Sequence, residues 1–153
     1  MSRGGGRLID WALLENLIGE LADGIKASGF RPDVVIGLGR RGWVFARLLS
    51  DHLAVSDLIT LHAEASINIG RISTLELKGR RVLIALDVEE AGSALKGVLE
   101  GLEALGPSEV RTATPLLPRE SEITPDYYGH GDGGVLYPWE LHRGSVGRRP
   151  TAR

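Results

Sequence analysis

Two short stretches of this chain carry the residue types that bind anions. In LDVEEAGSAL, residues 86–95, an apolar run delivers Asp87 at its C-terminal end, a turn follows, and Gly92 and Ser93 open a helix. A helix N-terminus offers unpaired N–H groups and partial positive charge, and Ser93 adds a hydroxyl, so a phosphate can dock there. Glu89 and Glu90 work against an anion. The same residues also read as plain helix capping, with Ser93 as the cap and the two acids near the dipole.

The second stretch is GLGRRG, residues 37–42. Gly37, Gly39 and Gly42 match the dinucleotide fingerprint, in which bare glycines let the backbone approach a pyrophosphate. A dinucleotide fold needs a second mononucleotide half and an acid about twenty residues on, and only Glu64 stands near that place. A tight strand-to-helix turn explains the glycines equally well, but not Arg40 and Arg41 at its tip, where two fixed cations favour a phosphate or pyrophosphate. The four histidines, His52, His62, His130 and His142, show no metal-ligand spacing, and no metal site is expected.

Both stretches need a scaffold that brings two strand-to-helix turns to one edge. Trp11, Leu14, Leu17, Ile18, Leu21 and Ile25 recur on one helical face, with Asp10 placed to cap the start and Gly29 to end it. Val34 to Ile36 is a β-branched run suited to a strand buried on both faces. A second helix is predicted from about Trp43 to Leu53, and Leu58 to Ala63 alternates like a strand. Glu64 to Lys78, polar and weakly periodic, reads as a flap or short hairpin. Arg81 to Asp87 is the strongest strand, followed by a helix from about Ser93 to Leu105 and a strand over Glu109 to Leu116. TPDYYG reads as a turn, GVLY as a last strand and PWE as the close of the fold. Strands alternating with helices predict an α/β fold, a single-domain, mainly parallel twisted sheet flanked by helices with ligands beyond the strands' C-terminal ends. Residues 1–8 are expected as a flexible N-terminus, 9–141 as the domain and 142–153 as a basic tail.

Composition sets the outer bounds. The chain has 153 residues, 42% of them hydrophobic, and a net charge of −2. A chain of this size buries about two thirds of its unfolded surface, enough for a core without staples. The absence of cysteine rules out disulfides, thiolate nucleophiles and Cys-ligated metals. The near-neutral charge does not favour nucleic acid as a partner. The opening MSRGGGRLID lacks the apolar core expected of a signal peptide, and no stretch approaches the eighteen or so apolar residues of a spanning helix. The expectation is a soluble, cytoplasmic protein without a membrane partner.

From Trp11 to Glu140 the chain resembles the type I phosphoribosyltransferases, nearest to the small prokaryotic xanthine, guanine and hypoxanthine enzymes. RPDVVIGLGRRGWVFARLL resembles the first strand and pyrophosphate loop, and KGRRVLIALDVEEAGSALKGVLEGLEALGPSEVRTAT the phosphoribosyl-pyrophosphate strand, loop and helix. PDYYG and LYPWE resemble the purine members' closing segment. The resemblance implies a phosphoribosyl donor bound with Mg2+, whose pyrophosphate a nucleobase displaces to give a nucleoside monophosphate. It also implies a homodimer, with Trp43 and Phe45 packing at the interface.

Carried over by the resemblance, Asp87 binds ribose, the backbone of Ala91, Gly92, Ser93 and Ala94 holds phosphate, Arg40, Arg41 and Gly42 face pyrophosphate, and Glu90 is an acid or base. The departures are equally specific. The family's two adjacent acids become Leu86 and Asp87, at a cost of about 1.5 to 3 kcal/mol for the lost charged hydrogen bond. Both loop threonines fall on Ala91 and Ala94, and a glycine of the pyrophosphate loop becomes Arg41. The aromatic that stacks on the base, five residues before Trp139, falls on Gly134, which removes about 1 to 3 kcal/mol of stacking. The hood over the site is reduced to Glu64 to Lys78.

Three functions follow from this pattern. The expected one is a degenerate relative that binds a nucleotide or other small phosphate ester, with transfer lost or weak. The alternative is an active purine phosphoribosyltransferase in purine salvage. The third is a nucleic-acid-binding regulator using the Arg-rich termini, as this family's attenuators do.

Overall fold

A computed structural model describes residues 7–64, 72, 74–131 and 134–140. Helix α1 spans Trp11–Ala27, strand β1 Val34–Leu38, helix α2 Gly39–Leu53, strand β2 Leu58–Leu61 and strand β3 Arg81–Leu86. Helix α3 spans Val88–Glu103, followed by β4 (Glu109–Leu117), β5 (Tyr127–His130) and a 3-10 turn at Pro138–Glu140. The strands form one parallel sheet in the order β2-β1-β3-β4-β5. This is the α/β fold with helices on both faces of a parallel sheet.

The pleat sorts the core into two layers. Val35, Leu83 and Ala85 face α1 and α2, packing with Leu14, Ile18, Phe45 and Leu49. Their strand neighbours Ile36, Leu38, Val82, Ile84 and Leu86 face the other way, onto Leu95, Val98 and Leu102 of α3. Asp10 caps α1 as expected, its Oδ1 accepting from the Leu13 N–H at 2.8 Å.

Several boundaries move, each for a local reason. Helix α3 starts at Val88 rather than near Ser93, because Asp87 is the cap: its Oδ1 accepts from the Glu89 N–H at 3.0 Å. Glu89 and Glu90 then sit in the first turn, where the helix dipole favours them. Helix α2 starts at Gly39 rather than near Trp43, since Glu90 of α3 supplies an acceptor for one of its first-turn donors. The turn expected at TPDYYG runs instead into β5, which begins at Tyr127. Asp126 Oδ2 accepts from the Thr112 N–H at 2.8 Å and from its hydroxyl at 3.1 Å, which moors this edge strand to β4. GVLY forms no strand and makes only an isolated bridge from Leu136 to Leu8. The expected flap lies mostly outside the described residues, as do residues 1–6 and the basic tail from 142 on.

Candidate functional site

Strands β1 and β3 are neighbours, with Leu38 opposite Leu86. The first turns of α2 and α3 therefore emerge side by side at the C-terminal edge of the sheet. Gly42 makes the contact close: a Cβ there would stand 2.6 Å from the Ala85 carbonyl oxygen. Arg40, Arg41, Gly42, Asp87 and Glu90 thus come to one edge, as the sequence pattern required.

Arg41 occupies the centre of that edge. Its Nε donates to Glu140 Oε1 at 2.6 Å and Nη2 to Glu140 Oε2 at 3.0 Å, while Nη1 donates to Asp87 Oδ2. The guanidinium carbon lies 5.2 Å from the centroid of the Tyr137 ring. Asp87 and Glu140 are each only 5% exposed, so both are buried carboxylates neutralised by one guanidinium. Burial works to lower the Arg41 pKa, but hydrogen bonds to Glu140 and Asp87 outweigh it and hold the group above its ordinary value.

Glu90 reaches across from α3. Its Oε1 accepts from the Arg41 backbone N–H at 2.9 Å, placing a carboxylate on the first turn of α2. Burial pushes the Glu90 carboxyl up, more than the Arg41 N–H and charge pull it down.

The phosphate donors expected at residues 91–94 are differently engaged. The Ala91 N–H donates to the Asp87 carbonyl at 2.9 Å. Gly92, Ser93 and Ala94 lie inside α3, where each N–H serves the carbonyl four residues back. Ile123 packs against Gly92, so that a Cβ there would meet its Cδ1 at 2.8 Å. Beside this turn opens a cleft of about 650 Å³, with Val88, Glu89 and Ser93 on one side and Arg119, Glu122 and Ile123 on the other. Gly134 stands next to Glu89, its N–H 3.3 Å from Oε1, with open space where a side chain would project. Arg40 is exposed at the tip of the α2 turn.

Glu140 and Tyr137 were not singled out by the motifs. The available signal was one acid in the aromatic segment GVLYPWE, since a charge among buried rings needs a counter-charge. Phe45, expected at a subunit interface, is fully buried against Tyr137 and Trp139. Among the described residues no cluster of three or more His, Asp or Glu could hold a metal, and no helix is long and apolar enough to cross a membrane.

Residues 5–130 match the family model of the phosphoribosyl transferase domain. Among solved structures, the chain is similar to a purine phosphoribosyltransferase from Pyrococcus horikoshii Ot3, with 28% identity, a TM-score of 0.75, and 89% of this chain and 94% of that one covered. A xanthine-guanine-hypoxanthine phosphoribosyltransferase of Helicobacter pylori aligns at 16% identity and a TM-score of 0.75, covering 93% and 97% of the two chains. A hypothetical protein from Neisseria gonorrhoeae with bound ppGpp aligns at 17% identity and a TM-score of 0.68, covering 94% and 98%. No curated protein matches the chain.

Proposed function

Because the chain belongs to the phosphoribosyl transferase domain family, we propose that it binds a nucleotide or phosphorylated ribose and transfers the phosphoribosyl group weakly or not at all. One observation carries this reading: Asp87, the one acid left at the end of β3, is ion-paired to Arg41. A ribose seeking that carboxylate must break a buried, charge-assisted bond whose other members, Arg41 and Glu140, would lose their partner. The Glu90 carboxylate stands on the first turn of α2, where an incoming pyrophosphate would meet a like charge. The open space around Gly134 offers no ring for a base to stack on.

The binding half of the proposal draws on the cleft beside α3 and on exposed Arg40. A fold neighbour of 17% identity is described with bound ppGpp, so a protein of this fold takes a phosphorylated nucleotide as ligand. The active-enzyme reading retains one support, the raised Glu90 carboxyl, which suits a general acid or base. In either reading a cysteine-free chain suits the reducing cytoplasm.

Thermal shift against guanosine monophosphate, inosine monophosphate, phosphoribosyl pyrophosphate with magnesium, and pyrophosphate tests the binding half. A ligand at a hundredfold its Kd stabilises by about 2.7 kcal/mol, a shift of roughly 5 to 11 °C at this size. A shift with a nucleoside monophosphate or the donor is expected. No shift with any of the four contradicts the proposal.

A further inference from the structure

The family resemblance brings a magnesium ion with the donor, and the residues around Asp87 do not fit one. Magnesium takes six oxygens at about 2.0 to 2.1 Å in octahedral geometry. Here the carboxylate oxygens are directed at protein donors. Asp87 Oδ1 accepts from the Glu89 N–H at 3.0 Å and Oδ2 from Arg41. Both Glu140 oxygens accept from Arg41, and Oε2 also accepts from the Tyr137 N–H at 3.2 Å. At the focus of these groups stands a guanidinium, whose positive charge repels a second cation.

We propose that Arg41 is the resident cation of this site, holding Asp87 and Glu140 as a divalent ion would, so that a phosphorylated ligand binds without magnesium. A guanidinium carries five N–H donors; three are used by Glu140 and Asp87, and the side chain remains 19% exposed. The two remaining donors, beside exposed Arg40, are available to a phosphate oxygen. An arginine keeps its charge at any physiological pH, whereas a bound metal depends on its free concentration. The ligand half of this inference rests on the binding reading above; the metal half does not.

Two measurements on the full chain separate these halves. The first is Mn2+ binding, without nucleotide, by electron paramagnetic resonance. Wild type is expected to leave Mn2+ free, while Arg41→Ala, which opens two carboxylates to a cation, should gain at least tenfold in affinity and be stabilised by the metal. Should that variant not fold, Arg41→Ala with Glu140→Gln removes one of the two stranded charges, and it too should bind Mn2+ more tightly than wild type. Mn2+ bound by wild type near Asp87, or bound equally by wild type and variants, overturns the inference. The second is guanosine monophosphate titration by calorimetry in EDTA and in excess magnesium. Equal affinity is expected, and a tenfold gain with magnesium overturns it. Absence of nucleotide binding in both buffers is a failure of the binding reading and so of the ligand half, leaving the Mn2+ measurement to decide the rest.

Discussion

Arg41 and Glu140, 99 residues apart in sequence, meet through two parallel bonds, Nε to Oε1 at 2.6 Å and Nη2 to Oε2 at 3.0 Å. This fork fixes the plane of the guanidinium and aims Nη1 at Asp87. The N-terminal half of the sheet edge is thereby locked to the closing segment of the chain.

Removing the arginine strands two buried carboxylates. Arg41→Ala is expected to lose about 3 to 5 kcal/mol of stability, read as the free energy of urea unfolding. Arg41→Lys should lose part of that, since an ammonium restores charge without the fork. A loss for Arg41→Ala below about 1 kcal/mol, typical of exposed pairs, would contradict a structural role.

Glu90 gives the site a pH dependence. Its carboxyl is raised above the ordinary 4.5, chiefly by burial, so between the two values the folded state holds a proton that the unfolded state releases. Its contribution to stability therefore falls as pH rises through that window. Glu90→Gln removes the titration and keeps an acceptor for the Arg41 N–H. The stability of the variant minus that of wild type should grow with pH from about 4.5 upward and then level. Urea midpoints across that range check this, and a difference that is flat or shrinks with pH would contradict it.

Leu86→Asp, the change that restores the family's missing acid, is expected to fail. Leu86 is fully buried and faces the layer formed with Leu38, Leu61 and Leu95. A carboxylate there has no partner, and the expected loss is about 3 to 5 kcal/mol. Adding Ala91→Thr and Ala94→Thr leaves Arg41 on Asp87, so affinity for phosphoribosyl pyrophosphate should stay low. A stable triple variant that binds the donor more tightly by calorimetry would show that the site is only two hydroxyls and one acid short.

Strands β1 and β3 and helix α1 were legible because their apolar spacing is local and strong. Strand β5 was not, because Asp126 and Gly129 read as turn residues and the pairing with β4 is long-range. The start of α3 was misplaced although its signal was present: Asp87 followed by two acids is a cap and a first turn. The motifs placed Arg41 at the right turn, but its partner is settled by packing. Only the fold brings Glu140, from beyond five strands, against the first turn of α2.

Transfer itself is the most direct test. Pyrophosphate release by the unmodified protein should be measured with guanine, hypoxanthine, xanthine and adenine at saturating phosphoribosyl pyrophosphate and magnesium. Four weakened contacts, at the ribose acid, the phosphate loop, the pyrophosphate turn and the base platform, at about 1.4 kcal/mol each, multiply to roughly ten-thousandfold. The predicted result is turnover no faster than about 0.1 per second with any of the four bases. Turnover near one per second or faster on any of the four bases, within the ordinary enzymatic range of about 1 to 1000 per second, would contradict it and make Arg41 a group that yields to the donor.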